Sequence, residues 1–128
     1  MRTAVTCTAL LALLVFALGF AVSMGRQRSR RGIGFDPSPT DPLHKLVRAH
    51  GNTTEYAPML AVLFLVLGGL APAAWVGWVM WAAVVSRYLI VAGLLTGSLA
   101  DANPMRFVGA TGTYLCGILL VVAVFVSR

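Results

Sequence analysis

The stretch Arg48-Ala49-His50-Gly51-Asn52-Thr53-Thr54-Glu55-Tyr56-Ala57-Pro58 ends where an apolar run, residues 59–67, begins. Read as a helix, it sets Arg48, Asn52 and Glu55 at i, i+4 and i+7, so all three project from one face with Tyr56 beside them. A polar stripe thus enters an otherwise apolar helix. Ionisable groups at such a depth are costly unless they serve a site, so the stripe is the first candidate for function.

Working outward, Asp41-Pro42 is a helix start, because the carboxylate caps free amides and proline loses nothing at the first helical position. The spacing predicts a helix from there to about residue 70, kinked near Thr54 by Pro58 and turned back by Gly68, Gly69 and Pro72. Residues 4–24 form an apolar stretch longer than a signal-peptide core and are expected to be a retained first span. A cleaved signal is the alternative, on the small residues at 19–23. Residues 73–97 make a third span, with Trp75, Trp78 and Trp81 near its start as interfacial anchors. Asn103-Pro104 repeats the cap-and-proline start ahead of a last span over 106–126.

At 128 residues, 59% hydrophobic and 11% charged, the chain has room for one domain and is too apolar for an ordinary soluble one. The expected class is an all-α integral membrane protein, a single domain over 1–128. Its four transmembrane helices, 4–24, 56–71, 73–97 and 106–126, form an up-down bundle. Arg26, Arg28, Arg30, Arg31, Lys45 and Arg48 lie in or just after a basic loop over 25–41, whereas Arg2 and Arg128 alone mark the far side. The positive-inside tendency then makes the first and third loops cytoplasmic and both termini external, in the inner membrane if the source is bacterial. Topology explains the net charge of +6 better than nucleic acid does, and no nucleic-acid partner is expected.

Cys7 and Cys116 lie inside apolar runs with no activating base nearby, so both are expected to be inert packing groups. His44 and His50 have no companion at metal-ligand spacing; they are expected at the interface or in solvent, and no metal is expected. Small residues recur at four-residue steps, Gly93 and Gly97 in the third span and Gly109, Thr113 and Gly117 in the fourth. Such rows let helix backbones approach closely.

In this topology Arg48, Asn52, Glu55 and Tyr56 meet Arg26, Arg87 and Arg106 at the cytoplasmic ends of the spans, forming a basic cup with one carboxylate. Such a cup suits a small peptide with two carboxylates and one ammonium, since arginine forks hold carboxylates and Glu55 pairs with the amine. Glutathione has that chemistry. An arginine facing its sulfur favours the thiolate and activates the nucleophile without a general base.

The quoted stretch resembles the signature of the MAPEG family, membrane-associated proteins of eicosanoid and glutathione metabolism, whose second helix carries Arg-x3-Asn-x2-Glu-Tyr-x-Pro. Every specified position matches. The resemblance implies glutathione as co-substrate, bound by Arg48, Asn52, Glu55 and Tyr56, with Arg26, Arg87 and Tyr88 as further candidate contacts. It implies Arg106, in Asn103-Pro104-Met105-Arg106-Phe107-Val108-Gly109, as the catalytic residue that stabilises the thiolate. The third helix, Arg87-Tyr88-Leu89-Ile90-Val91-Ala92-Gly93-Leu94, resembles the bacterial pattern Arg-x2-His-Ala-x-Gly-Leu in part, with Ile90 at the histidine position and Ala92 where leukotriene C synthases carry a second tyrosine. Family architecture implies a homotrimer with glutathione sites between neighbours.

Two functions follow from the resemblance: a membrane glutathione transferase or peroxidase acting on lipophilic electrophiles that arrive through the bilayer lipid, or a non-catalytic relative that binds lipid or acts as a scaffold. The departures at Ile90 and Ala92 favour the second, and the complete Arg-Asn-Glu-Tyr set favours the first. A structural reading stands beside both, in which Glu55 only neutralises Arg48 or Arg87. A small four-span proton-coupled exporter is a third function, but its first span would need a glutamate and residues 4–24 contain no acid.

Overall fold

Four helices, α1 (Arg2–Arg28), α2 (Pro42–Gly69), α3 (Ala74–Thr96) and α4 (Pro104–Val126), make up the computed structural model, which describes residues 1–70 and 72–127. Among the described residues there is no strand. The expected end of the second span at residue 71, and Arg128, lie outside the described residues.

The two predicted caps form. Asp41 Oδ1 accepts from the His44 amide at 2.7 Å, with Pro42 at the start of α2. Asn103 Oδ1 accepts from Met105 N at 2.9 Å and Arg106 N at 3.4 Å, with Pro104 at the start of α4. α2 continues as a helix through Pro58. α1 runs further than its apolar stretch, so residues 25–28 are helical rather than part of the basic loop, and Arg26 and Arg28 occupy a last turn whose dipole favours cations. It ends in a Schellman turn: Arg31 N donates to Arg26 O at 3.0 Å and Arg30 N to Gln27 O at 3.2 Å. Arg30 takes the left-handed position there, at φ 53°.

α1 packs along α2 and α3 along α4, while α2 and α3 meet across the middle, α1 also touches α3, and α4 also touches α2. No contact joins α1 to α4 among the described residues, so the bundle is a rhombus with α2 and α3 on its short diagonal. Leu99 N donates to Pro39 O at 2.9 Å, which ties the first loop to the third at one end, as up-down order requires. At the other end the core is apolar, built from Cys7, Leu11, Phe64, Leu67, Met80 and Leu120 among others. A smaller cluster of Leu14, Leu18, Ala49, Ile90, Val91 and Leu94 fills the end near the loops. Both cysteines are buried in the first cluster.

α1, α3 and α4 are long and apolar enough to cross a membrane. Their outer faces carry large exposed apolar side chains such as Phe16, Phe20, Trp78, Ile118 and Phe125. α2 differs: its 28 residues extend about 42 Å, against roughly 30 Å of hydrocarbon, so it has length to spare for polar first turns. The two histidines are held more closely than expected of solvent-facing groups. His44 stacks on Phe35 with ring centroids 4.3 Å apart and shares a 3.0 Å hydrogen bond with Ser38 O, and half-buried His50 packs over Gly19.

Candidate functional site

The seam between α2 and α4 holds the site. Up-down order makes these two helices parallel, so Arg48 comes level with Arg106 and Tyr56 with Tyr114. At the loop end, a cleft of about 400 Å³ is lined by Arg48 and Asn52 from α2, Arg106, Phe107 and Ala110 from α4, Ile90 and Leu94 from α3, and residues 101–103 of the connecting loop. Next along the seam, a more apolar cleft of about 690 Å³ opens between Glu55, Tyr56, Met59, Leu60 and Leu63 on one side and Thr113, Tyr114, Gly117, Ile118, Val121 and Val122 on the other. A polar cleft and an apolar one therefore follow each other along the seam.

α4 reaches this position because glycines remove the side chains that would hold it off. A Cβ on Gly109 would meet Ser86 O at 2.7 Å and Ile90 N at 2.9 Å, and one on Gly93 would meet Arg106 N at 2.9 Å. Gly93 and Gly109 of the four-residue rows thus pack α3 against α4, whereas nothing lies within 4 Å of a Cβ at Gly117. Asn103 reinforces the contact by donating from Nδ2 to Gly93 O at 3.2 Å. Arg106 is fixed from below, as its Nη1 donates to the carbonyls of Leu99 and Asp101, both at 3.2 Å. That leaves the rest of its guanidinium fork to face the cleft.

Four of the eight residues predicted from sequence keep their expected neighbourhood on α2, and Arg106 joins Arg48 and Asn52 in one cleft. Glu55 is exposed, and the one ion pair among the described residues is Arg31 to Asp36 at 4.0 Å, so Glu55 makes no direct ion pair with Arg48 or Arg87. Tyr56 lies half-buried, its hydroxyl 3.4 Å from that of Tyr114 and the two rings tilted at 57°.

Three residues lie elsewhere. Arg87 is wholly buried and lines neither cleft; its Nη2 donates to Asn52 Oδ1 at 2.7 Å and Asn52 O at 2.8 Å, and its Cζ sits 5.1 Å from the centre of the Tyr56 ring. It reaches two other candidate residues, Asn52 and Tyr56, instead of either cleft. Tyr88, one position on, points about 100° away around α3 and donates to Leu10 O of α1 at 3.0 Å, beside an apolar groove. It belongs to the α1–α3 packing and not to the seam. Arg26 lines neither cleft, and its Nε is buried without a hydrogen-bond partner.

Tyr114 and Asp101 were not singled out from sequence. Tyr114 stands eight residues beyond Arg106, as Tyr56 stands eight beyond Arg48, and that equal spacing on two parallel helices was the available signal. Asp101 lay in a short polar loop with nothing local to mark it.

A family model matches residues 4–126, nearly the whole chain, and it is that of the MAPEG family. The chain belongs to that family. It is therefore an integral membrane protein of a four-helix MAPEG bundle, and family membership carries with it a glutathione-related function in general terms. No curated protein and no solved structure matches the chain. The finer assignment of this MAPEG protein thus rests on its own residues.

Proposed function

We propose that this MAPEG protein binds glutathione in the α2–α4 seam and joins it through its sulfur to lipophilic electrophiles, or uses two glutathione molecules to reduce a lipophilic peroxide to the alcohol and water, the two thiols leaving as the disulfide. The observation that carries the reading is the cleft that gathers Arg48, Asn52 and Arg106, next along the seam to an apolar cleft lined by Glu55 and Tyr56. Two arginine forks offer seats for the two carboxylates or for a carboxylate and a thiolate, and unpaired Glu55 offers one for the ammonium. The donor set matches in number the two carboxylates and one ammonium of the thiol form.

In this reading bound glutathione supplies the nucleophilic sulfur. Arg106 holds positive charge at the cleft and favours the thiolate over a thiol whose free pKa is ~8.5, so the proton leaves to solvent. In transfer, sulfur forms a bond to carbon as the leaving group departs or a ring opens. The apolar cleft lined by Met59, Leu63, Ile118 and Val121 gives an electrophile dissolved in lipid a path to the same point. Family architecture supports a homotrimer, and the clustering of Arg26, Arg28, Arg30 and Arg31 supports cytoplasmic first and third loops with both termini external.

A non-catalytic lipid-binding role is the second reading, favoured by one observation. Arg106 already spends Nη1 on two loop carbonyls, as a purely structural arginine would.

Calorimetry on detergent-purified protein with reduced glutathione tests the proposal, together with thiolate absorbance on the same sample. Binding is expected in the wild type and is expected to fall at least tenfold in Arg48→Ala and Glu55→Gln, while Arg106→Ala loses the thiolate signal. Binding with no thiolate signal in the wild type would leave the lipid-binding role. Absence of binding would end the glutathione reading altogether.

A further inference from the structure

Arg87 presents a contradiction in elementary electrostatics. It is fully buried and, among the described residues, makes no ion pair within 4.0 Å, and two of its nitrogens, Nε and Nη1, have no hydrogen-bond partner. A buried cation of this kind is expensive, and an apolar side chain of similar volume would serve packing as well or better. Among the described residues its hydrogen bonds go to the two oxygens of Asn52, and its ring contact is with Tyr56.

The consequence falls on Asn52. A guanidinium has donors and no acceptor, so the atom of the Asn52 carboxamide that faces Arg87 at 2.7 Å must be the oxygen. The amide nitrogen, with its two donors, is then turned the other way, toward the cleft that Asn52 lines with Arg48 and Arg106. An isolated asparagine offers a ligand either an acceptor or a donor. This one has the choice made for it.

We propose that Arg87 is a positioning residue that locks the Asn52 amide with Nδ2 facing the ligand, so that this wall of the cleft offers only donors and selects a carboxylate or peptide carbonyl. The inference deepens the glutathione reading and rests on it. Arg87 itself does not touch the ligand. Its contact with the Tyr56 face holds the motif residue one turn further along α2, so one buried cation contacts both Asn52 and Tyr56.

Two variants separate positioning from mere structural support. Arg87→Met keeps the volume and removes the cation, so it should fold at least as stably as the wild type yet bind reduced glutathione at least tenfold more weakly, because Asn52 is free to turn. Arg87→Lys keeps an inward-facing donor and should bind within about threefold of the wild type.

Asn52→Asp gives opposite signs in two measurements. Its carboxylate pairs with Arg87, so the thermal midpoint without ligand should rise, and that rise should vanish in the Arg87→Met background. Glutathione binding by Asn52→Asp should drop at least tenfold, since the outward donor becomes an acceptor. Arg87→Met that binds glutathione as the wild type does would overturn the positioning role and leave the proposed function intact. A wild type that binds no glutathione would overturn both.

Discussion

Replacing Gly93 by alanine tests the contact that carries Arg106 into the site. An added Cβ would lie 2.8 Å from Arg106 Cγ, 2.9 Å from Arg106 N and 3.1 Å from Met105 Cβ, where ordinary contact begins at 3.4 Å. The backbone nitrogen decides the outcome, because it cannot swing aside as a side-chain carbon can. Restoring 3.4 Å from 2.9 Å requires the first turn of α4 to retreat by about 0.5 Å along that line. Such a retreat strains the bond from Asn103 Nδ2 to Gly93 O, already 3.2 Å long. Overpacking of this kind costs about 1–3 kcal/mol and a lost hydrogen bond adds about 1, so a destabilisation of about 2–4 kcal/mol is expected. Gly117→Ala is the control, since nothing lies within 4 Å of a Cβ there. Both are measured by unfolding in detergent, with thiolate absorbance of bound glutathione as the second readout. Equal stability of Gly93→Ala and Gly117→Ala would refute the close α3–α4 approach. Lower stability with an unchanged thiolate signal would refute the claim that the approach positions Arg106.

Arg30 occupies a left-handed position at φ 53°, so Arg30→Gly should be neutral or stabilising by up to about 1 kcal/mol, whereas Arg30→Val, β-branched and at the same φ, should destabilise by about 1–2 kcal/mol in the same unfolding assay. Cys7 and Cys116 are buried in the core, so a charged maleimide should leave both unlabelled until the protein is denatured, and Cys7→Ala with Cys116→Ala should retain glutathione binding. Rapid labelling of the folded protein would contradict the packing described.

What the sequence made legible was whatever is decided within a turn or two of helix. Asp41-Pro42 and Asn103-Pro104 fix helix starts by local capping chemistry, so both starts were placed correctly. The end of α1 was placed four residues early because arginine looks like loop by hydropathy, while a last helical turn welcomes it electrostatically. The stripe Arg48, Asn52, Glu55 was legible for the same local reason, helical spacing. Which arginines from other helices join it was not, because that depends on rotation about helix axes. Arg87 and Tyr88 are adjacent in sequence and one of them had to face away; hydropathy gave no preference, and the charge went inward while the phenol went to Leu10 O.

That inward turn bears on how a four-helix protein can keep a polar site against a bilayer at all. α2 provides the ligand-facing groups only where its first turns outrun the hydrocarbon, and its apolar half begins one turn below Glu55. The polar groups would be free to reorient in that wetter zone unless something beneath them were rigid. Arg87 lies beneath them on α3, and α3 is held against α4 by Gly93 and Gly109, which also deliver Arg106 to the opposite wall. Asn52 and Arg106 are thus referenced to the same helix, one through a buried guanidinium and the other through a glycine contact. Movement of α4 away from α3 would open the cleft by moving Arg106 with Phe107 and Ala110, while Asn52 stayed in place. The distance between the two walls is therefore set by the size of residues 93 and 109.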